Sequence, residues 1–360
     1  MLQNYTCGCR FSEQSTLRSV LLFLPSIWQR EAGTDAQQPV RECEFFQVAI
    51  NRYLAGGCRV FIVPDQKNRL IVVTGANSGT GEEAVRRLAA SHANIIMAVR
   101  NEEKGNAVCG RIRGQYPSSS IAVRHLDLSS LASVHEFAGA ILRDGRPVDV
   151  LINNAGIMMP PRRMLSADGF ELQMATNFLG HFALTNLLMP ALLAAEAPRV
   201  STVTSSAAIG AKINLNDLQS ASSYQPMAAY AQSKLACLVF ANTLADIADE
   251  RGWPLLSTSS HPGHTRTNLQ TSGPNIDTGS TRKKLAFKLV PSMDVKWATE
   301  SILRAAVDPT ATQGAFYGPK FLLVGDSHLA RQPRSAMAVD RAQLWQLAEE
   351  LTRTSLPSDR

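Results

Sequence analysis

Residues Arg69 to Ala90 read RLIVVTGANSGTGEEAVRRLAA: an apolar run, a glycine-rich turn and an amphipathic repeat. Leu70, Ile71, Val72 and Val73 show no polar alternation and are rich in β-branched side chains, which suits a strand of a parallel sheet covered on both faces. After Gly81 the apolar residues Ala84, Val85, Leu88 and Ala89 recur at helical spacing, and Glu82 and Glu83 fall in the first turn, where negative charge suits the helix dipole. Gly75, Gly79 and Gly81 let the backbone turn sharply and approach a pyrophosphate, whose charge meets the free N–H groups at the helix start. The spacing is T-G-x-x-x-G-x-G rather than G-x-G-x-x-G. Taken alone, any tight strand-to-helix turn could use such a cluster.

Outward from this unit, apolar runs alternate with helical patterns. Strands are expected at Asn94 to Val99, Ile121 to Arg124, Val148 to Ile152, Arg199 to Thr204, Leu255 to Ser260 and Ala315 to Tyr317. Helical stretches include Leu131 to Leu142, Gln173 to Leu193 and Ala228 to Glu250. The alternation predicts an α/β fold, a doubly wound parallel sheet with helices on both faces. Ligands should then sit beyond the carboxyl ends of the strands. No internal repeat, low-complexity tract or bilayer-length apolar run interrupts the pattern.

At 360 residues the chain accommodates one large domain plus an extension. The formal charge of +6 is spread along the sequence, so nucleic-acid binding is not indicated, and Arg282, Lys283 and Lys284 read as a surface cluster. The six cysteines lack zinc-like spacing, and Cys7, Cys9, Cys43 and Cys58 all precede the glycine turn. A reduced, cytoplasmic chain without a metal is the expectation.

The segments TGANSGTG (Thr74 to Gly81), LDL (Leu126 to Leu128), NNAG (Asn153 to Gly156), YAQSK (Tyr230 to Lys234) and HPGHTRT (His261 to Thr267) occur in order at strand ends. Together they resemble the short-chain dehydrogenase/reductase superfamily. NFLGHFALTNLL, HPG and FYGP resemble its retinol-dehydrogenase-like and protochlorophyllide-reductase-like branch, from about residue 60 to the C-terminus.

Tyr230 and Lys234, four residues apart, share one helix face. Tyrosine is the candidate acid/base, and ionisation near neutrality needs its pKa of about 10 lowered by roughly two to three units, which the Lys234 ammonium is expected to assist. The resemblance implies direct hydride transfer between a nicotinamide and a carbon bearing oxygen. In reduction Tyr230 would donate a proton, Ser206 would bond the substrate oxygen, and Lys234 would also hold the nicotinamide ribose. Ser206 matches the family serine better by position than Ser205. Asn177 matches the asparagine whose main chain holds a relay water. His181, one turn later, reads as a satisfied core histidine.

The resemblance also distributes the cofactor contacts. The turn residues Gly75, Asn77, Ser78, Gly79, Thr80 and Gly81 face the dinucleotide. Asp127 and Leu128 meet the adenine, Asn154, Ala155 and Gly156 border the adenosine ribose, and Pro262, Gly263 and Thr267 hold the nicotinamide end. Thr80, where aliphatic residues are usual, and HTR after Pro262-Gly263 depart from the pattern and are expected to loosen the site without removing a donor. Where an acidic residue would bind the ribose 2′-hydroxyl of NAD, the chain has Arg100, which suits the extra phosphate of NADP. NADP(H) is therefore favoured, with NAD(H) as the alternative. Glu102 and Glu103 come slightly late for the ribose.

The substrate is expected to be a small, lipophilic alcohol, aldehyde or ketone, with Asn268 to Pro291 as a lid, and a dimer is common in the superfamily. A carbon–carbon double-bond reductase and a non-catalytic dinucleotide-binding sensor are the alternative functions. Residues 1–59 read as a poorly structured extension or a start-site artefact, ahead of a domain at 60–355. Val20 to Trp28, broken by Pro25, is too short to span a membrane.

Overall fold

The computed structural model describes residues 60–265 and 292–358. Eight strands form one sheet in the order β3-β2-β1-β4-β5-β6-β7-β8: β1 Leu70–Thr74, β2 Asn94–Val99, β3 Ser120–His125, β4 Val150–Asn153, β5 Arg199–Val203, β6 Leu256–Ser260, β7 Phe316–Pro319 and β8 Ser327–Leu329. Neighbours from β3 through β7 run parallel, and β8 pairs antiparallel with β7. The chain starts in the middle at β1, winds outward to β3, then crosses back to β4, so a cleft opens between the loops after β1 and β4.

The helices are α1 Gly79–Ala90, α2 Glu102–Gln115, α3 Leu131–Arg143, α4 Gly180–Leu193, α5 Pro226–Glu250, α6 Val295–Val307, α7 Arg334–Met337 and α8 Arg341–Thr352. Alternate residues of each central strand serve opposite faces. Ile71, Val73, Ile95, Met97, Val150 and Ile152 pack with residues of α1, α2 and α6. Leu70, Val72, Ile96, Leu151 and Val200 join residues of α3, α4 and α5. Every residue of β1 is buried, as an unbroken apolar run in a two-sided sheet requires. On the second face Phe178, Phe182, Phe240 and Trp345 form an aromatic cluster with centroids 4.9 to 6.3 Å apart, fastening α8 against α4 and α5. The three buried phenylalanine rings contribute roughly 1.5–3 kcal/mol each.

β6 is polar in sequence yet buried. Two of its hydroxyls serve the helices on either side: Ser257 donates to the Ala241 carbonyl of α5 and Thr258 to that of Ala305 in α6, both at 2.8 Å. β8 was not anticipated, because its residues lack an apolar run and occupy a sheet edge. The helix expected from Gln173 to Leu193 is divided. One α-turn, Leu172–Met174, leads into a wider π-turn, Ala175–Leu179, before α4 begins. Gly180 follows this turn because a Cβ there would strike the Leu128 carbonyl.

Near the start of the described residues, Phe61 is anchored to the domain. The Phe61 N–H donates to Glu300 Oε1 at 3.1 Å, its carbonyl accepts from Arg87, and the Arg304 guanidinium lies 4.7 Å above its ring. Arg87 and Glu300, both nearly buried, complete an ion pair at 3.5 Å. Residues 1–59, Thr267 and the lid of Asn268 to Pro291 lie outside the described residues.

Candidate active site

A cleft of about 850 Å³ runs across the carboxyl ends of the central strands. Its floor begins at the glycine turn. Gly75 and Gly79 adopt left-handed φ angles of 64° and 54°, and a Cβ on Gly81 would collide with the Gly75 carbonyl and come within 2.7 Å of Asn154 Nδ2. No other residue fits there. Thr80 does not loosen this turn, because its hydroxyl donates to Asn154 Oδ1 at 3.0 Å while Asn154 Nδ2 donates to the Thr74 carbonyl at 2.8 Å. The polar side chain thus adds a tie between the turn and the loop after β4. Asn77, Ser78, Ala155 and Gly156 line the same stretch of cleft.

At one end stand Arg100, Asn101 and Lys104. The Asn101 side chain accepts from the Lys104 N–H at 2.8 Å and caps α2. Glu102 and Glu103 begin that helix and are not part of the cleft wall. The helix start therefore turns the glutamates away and leaves two exposed cations at the rim, with no protein acceptor among the described residues. Lys104 was not anticipated; its place in the first turn after Arg100 is the signal that could have revealed it. Leu128 also lines the cleft, as does Asp127, whose carboxylate accepts from the Ser129 N–H and hydroxyl at 2.9 and 2.6 Å.

At the other end Tyr230 and Lys234 project from α5, both buried. The serine facing the phenol is Ser205, which makes a side-chain hydrogen bond with Tyr230. Ser206, the serine expected from its position, is not the one paired with the phenol. Ser205 is extended (φ −150°) and also caps the short 3-10 turn that Ser206 begins, accepting from the Ala207 N–H at 3.2 Å. Both serines line the cleft, but the change in backbone direction between them gives the phenol to the first.

Burial pushes the Tyr230 pKa up to about 12, and the Ser205 bond only partly opposes this. The direction is opposite to the lowering expected from Lys234. The reason is geometric: the Lys234 ammonium donates to the Val203 carbonyl at 3.0 Å, and burial lowers its own pKa. In this form the phenol is protonated at neutral pH, the state a proton donor needs.

Asn177 sits in the π-turn with its side chain fully used. Nδ2 donates to the Ile157 carbonyl and to Ser233 Oγ, at 3.1 and 2.9 Å, and Oδ1 accepts from the Ile157 N–H at 2.8 Å. Its main-chain carbonyl faces two side-chain donors, His181 Nδ1 at 2.9 Å and Cys237 Sγ at 3.0 Å, where the resemblance implies a water. Gly156 is packed between these groups, since a Cβ on it would lie 3.0 Å from Asn177 Oδ1 and 3.3 Å from Lys234 Nζ.

Pro262 and Gly263 close the far wall of the cleft. Gly263 has φ 69°, and a Cβ there would lie 2.5 Å from the Leu323 carbonyl. His264 and Thr265 keep this turn bonded rather than loose: the His264 N–H reaches the Leu323 carbonyl at 2.9 Å and the Thr265 hydroxyl the Pro262 carbonyl at 3.4 Å. Behind it, the buried His261 ring lies against Gly318 of the FYGP segment, where any Cβ would strike the imidazole. The arrangement can hold a dinucleotide along the glycine turn and can place a proton donor, a hydroxyl and an ammonium at its far end. The described residues offer no cluster able to hold a metal, and no helix among them is long and apolar enough to cross a membrane.

Comparison with known proteins agrees with this geometry. The short chain dehydrogenase family model matches residues 69–275. The chain is 42% identical to a polyprenol dehydrogenase of Mus musculus over 222 residues, 61% of this chain and 66% of that protein. It is 41% identical to retinol dehydrogenase 13 of Homo sapiens over 202 residues, 56% of this chain and 60% of that protein. The match thus spans somewhat less than two thirds of those relatives. A crystal structure from Mycobacterium paratuberculosis superposes with a TM-score of 0.68 at 38% identity, covering 82% of this chain and 97% of the other. A short chain dehydrogenase from Shigella flexneri, crystallised with NADP, shares the fold at 24% identity and a TM-score of 0.54, over 70% of this chain and 97% of its own. With its glycine turn, its buried tyrosine and lysine one helical turn apart, and the family model covering more than half its length, this chain belongs to the short-chain dehydrogenase family.

Proposed function

We propose that the protein is an NADP(H)-dependent oxidoreductase that interconverts a lipophilic alcohol and its carbonyl compound. The observation that carries this reading is the Tyr230 phenol, hydrogen-bonded to Ser205 and one helical turn from a buried lysine, at the end of a cleft that begins at a glycine turn. Bound there, the nicotinamide would supply or accept the hydride.

The protein's own residues perform the remaining tasks. Ser205 bonds the substrate oxygen and aligns it with the phenol. In reduction Tyr230 donates its proton to the oxygen as negative charge develops. The Lys234 ammonium, held on the Val203 carbonyl in this form, would turn towards the phenolate left behind and towards the ribose hydroxyls once the cofactor is bound. Asn177, by gripping Ile157 through both side-chain atoms, fixes the loop that ends in Met158. Arg100 and Lys104 supply charge for a 2′-phosphate, and both glutamates that could prefer a ribose hydroxyl stand off the cleft.

Ile157, Met158 and Met227 give the mouth beside Tyr230 an apolar, adaptable lining, which suits a flexible hydrocarbon group more than a sugar. A cytosolic location with access to NADPH is part of the same reading, and fractionation of cells producing the tagged chain tests it. The deciding experiment is a panel of aliphatic and isoprenoid alcohols, aldehydes and ketones assayed with NADPH, NADP, NADH and NAD. Turnover with the phosphorylated cofactor, abolished in Tyr230→Phe, is expected. Turnover of carbon–carbon double bonds alone overturns the carbonyl assignment, and cofactor binding without turnover points to a sensor.

A further inference from the structure

We propose that His181 is a positioning residue that couples the floor of the dinucleotide cleft to the turn carrying Asn177. The inference rests on the oxidoreductase reading above. His181 lies on the first turn of α4, is 2% exposed and has both ring nitrogens engaged. Nδ1 is 2.9 Å from the Asn177 carbonyl, which can only accept, so Nδ1 carries the hydrogen. In the neutral ring Nε2 is then an acceptor. Thr74 Oγ1 lies 2.9 Å from it and donates.

Thr74 is saturated in this arrangement. Its oxygen accepts from the Asn154 and Ala155 N–H groups, both at 2.9 Å, which uses its two lone pairs. Its single hydrogen has two acceptors within range, His181 Nε2 at 2.9 Å and the Ile152 carbonyl at 3.3 Å, and the shorter contact goes to the histidine. One tautomer therefore satisfies a continuous chain from the Asn154–Ala155 backbone through Thr74 and His181 to the Asn177 carbonyl. From α5, Cys237 donates to that carbonyl beside His181, and the charge of Lys234 acts on the ring. The neighbouring ammonium and complete burial both disfavour a charged imidazole, so the ring stays neutral across the working pH range.

The two ends of the chain serve different steps. Asn154 and Ala155 border the cofactor, whereas Asn177 holds Ile157 and packs beside Gly156 and Lys234. Loss of the His181–Thr74 contact should affect cofactor binding. Loss of both contacts should also affect turnover.

The test measures NADPH dissociation constants by fluorescence titration, and kcat with the best panel substrate, for Thr74→Val, Thr74→Ser, His181→Asn, His181→Phe and the double variant Thr74→Val/His181→Asn. His181→Asn removes the single hydrogen bond to Thr74 and should weaken NADPH about tenfold, whereas Thr74→Val removes that bond together with the acceptor of the Asn154 and Ala155 N–H groups and should weaken it by more. The double variant should be no weaker than Thr74→Val alone, because the contact that His181→Asn deletes is already lost there. Thr74→Ser should restore binding. His181→Phe should add a kcat loss of about tenfold, because the Asn177 carbonyl also loses its donor. Additive losses in the double variant, or wild-type NADPH affinity in both Thr74→Val and His181→Asn, overturn the coupling even if His181→Phe fails to fold. A wild-type protein that binds neither NADPH nor NADH overturns the functional reading itself, and this inference with it.

Discussion

Acidification from pH 7 to pH 5 should remove about 4 kcal/mol of folding stability, mainly through His181 and His261. Burial lowers both pKa values from 6.5 to about 3, with Lys234 adding to the effect at His181 and His328 at His261. In the unfolded chain each ring takes up a proton as pH falls through about 6.5, whereas in the fold each stays neutral until about pH 3. The stabilising difference is therefore complete above the unfolded value and is lost as pH falls towards the folded one. At pH 5 each unfolded ring is nearly fully protonated, giving about 2 kcal/mol per histidine relative to pH 7, a large share of the 5–15 kcal/mol typical of domains. Glu171 and Glu300, whose pKa values burial raises, act in the opposite sense, the fold gaining stability as pH falls through their raised values towards the ordinary carboxylate range. Comparison with a histidine variant cancels their contribution. Urea unfolding followed by circular dichroism at pH 7, 6 and 5 measures the slope, and His181→Asn should lose about half of it while starting from a lower stability at pH 7. A wild-type stability that is flat over this range, or a slope unchanged in the variant, would refute the claim that these rings are held neutral by burial.

Three further outcomes are expected. Ser205→Ala should reduce kcat by about a hundredfold or more, as loss of a donor to a developing oxyanion does, whereas Ser206→Ala should stay within a fewfold of wild type; steady-state kinetics of the purified pair decides which serine acts. Arg100→Asp should lower relative preference for NADPH over NADH roughly ten- to a hundredfold, and Lys104→Ala should move it in the same direction by less, so equal kcat/KM ratios in wild type and Arg100→Asp would remove Arg100 from the phosphate site. A chain beginning at Val60 should fold and keep full activity, whereas one beginning at Gln66 loses Phe61 and leaves Glu300 without its N–H donor, lowering stability by about 1–3 kcal/mol in a melting experiment.

The central sheet was legible because its strands carry their signal locally. The runs in β1, β2 and β4 are apolar apart from one terminal residue each, Thr74, Asn94 and Asn153, and a two-sided parallel strand has no polar face to confuse the period. β6 was legible from its spacing and small residues although its hydroxyls are buried; those of Ser257 and Thr258 are tolerated because helix carbonyls on both sides accept from them. What could not be read was set by contacts distant in sequence. The π-turn at Asn177 has no local signature, since it is held by Ile157 and Ser233, 20 and 56 residues away. β8 is fixed only by pairing with β7.

The site shows the same division, and the serine pair explains why. Pattern matching located the Ser-Ser pair, but which hydroxyl meets Tyr230 depends on the backbone turning by one residue into a 3-10 segment, a difference that composition does not carry. The pKa of Tyr230 was likewise misjudged in direction, because helical spacing to Lys234 fixes proximity but not where the ammonium points. In the fold it points to the Val203 carbonyl, and burial alone then dominates the phenol. The consequence is chemical: a tyrosine near 12 holds its proton until a charge or an oxyanion arrives beside it, so the site is set for donation before any substrate is present. Oxidation of an alcohol at the same site therefore requires the positive charge of an oxidised nicotinamide, or a turn of the Lys234 ammonium towards the phenol, to bring the phenolate within reach. The pH dependence of kcat in the two directions should differ for that reason, with reduction level through neutral pH and oxidation still rising.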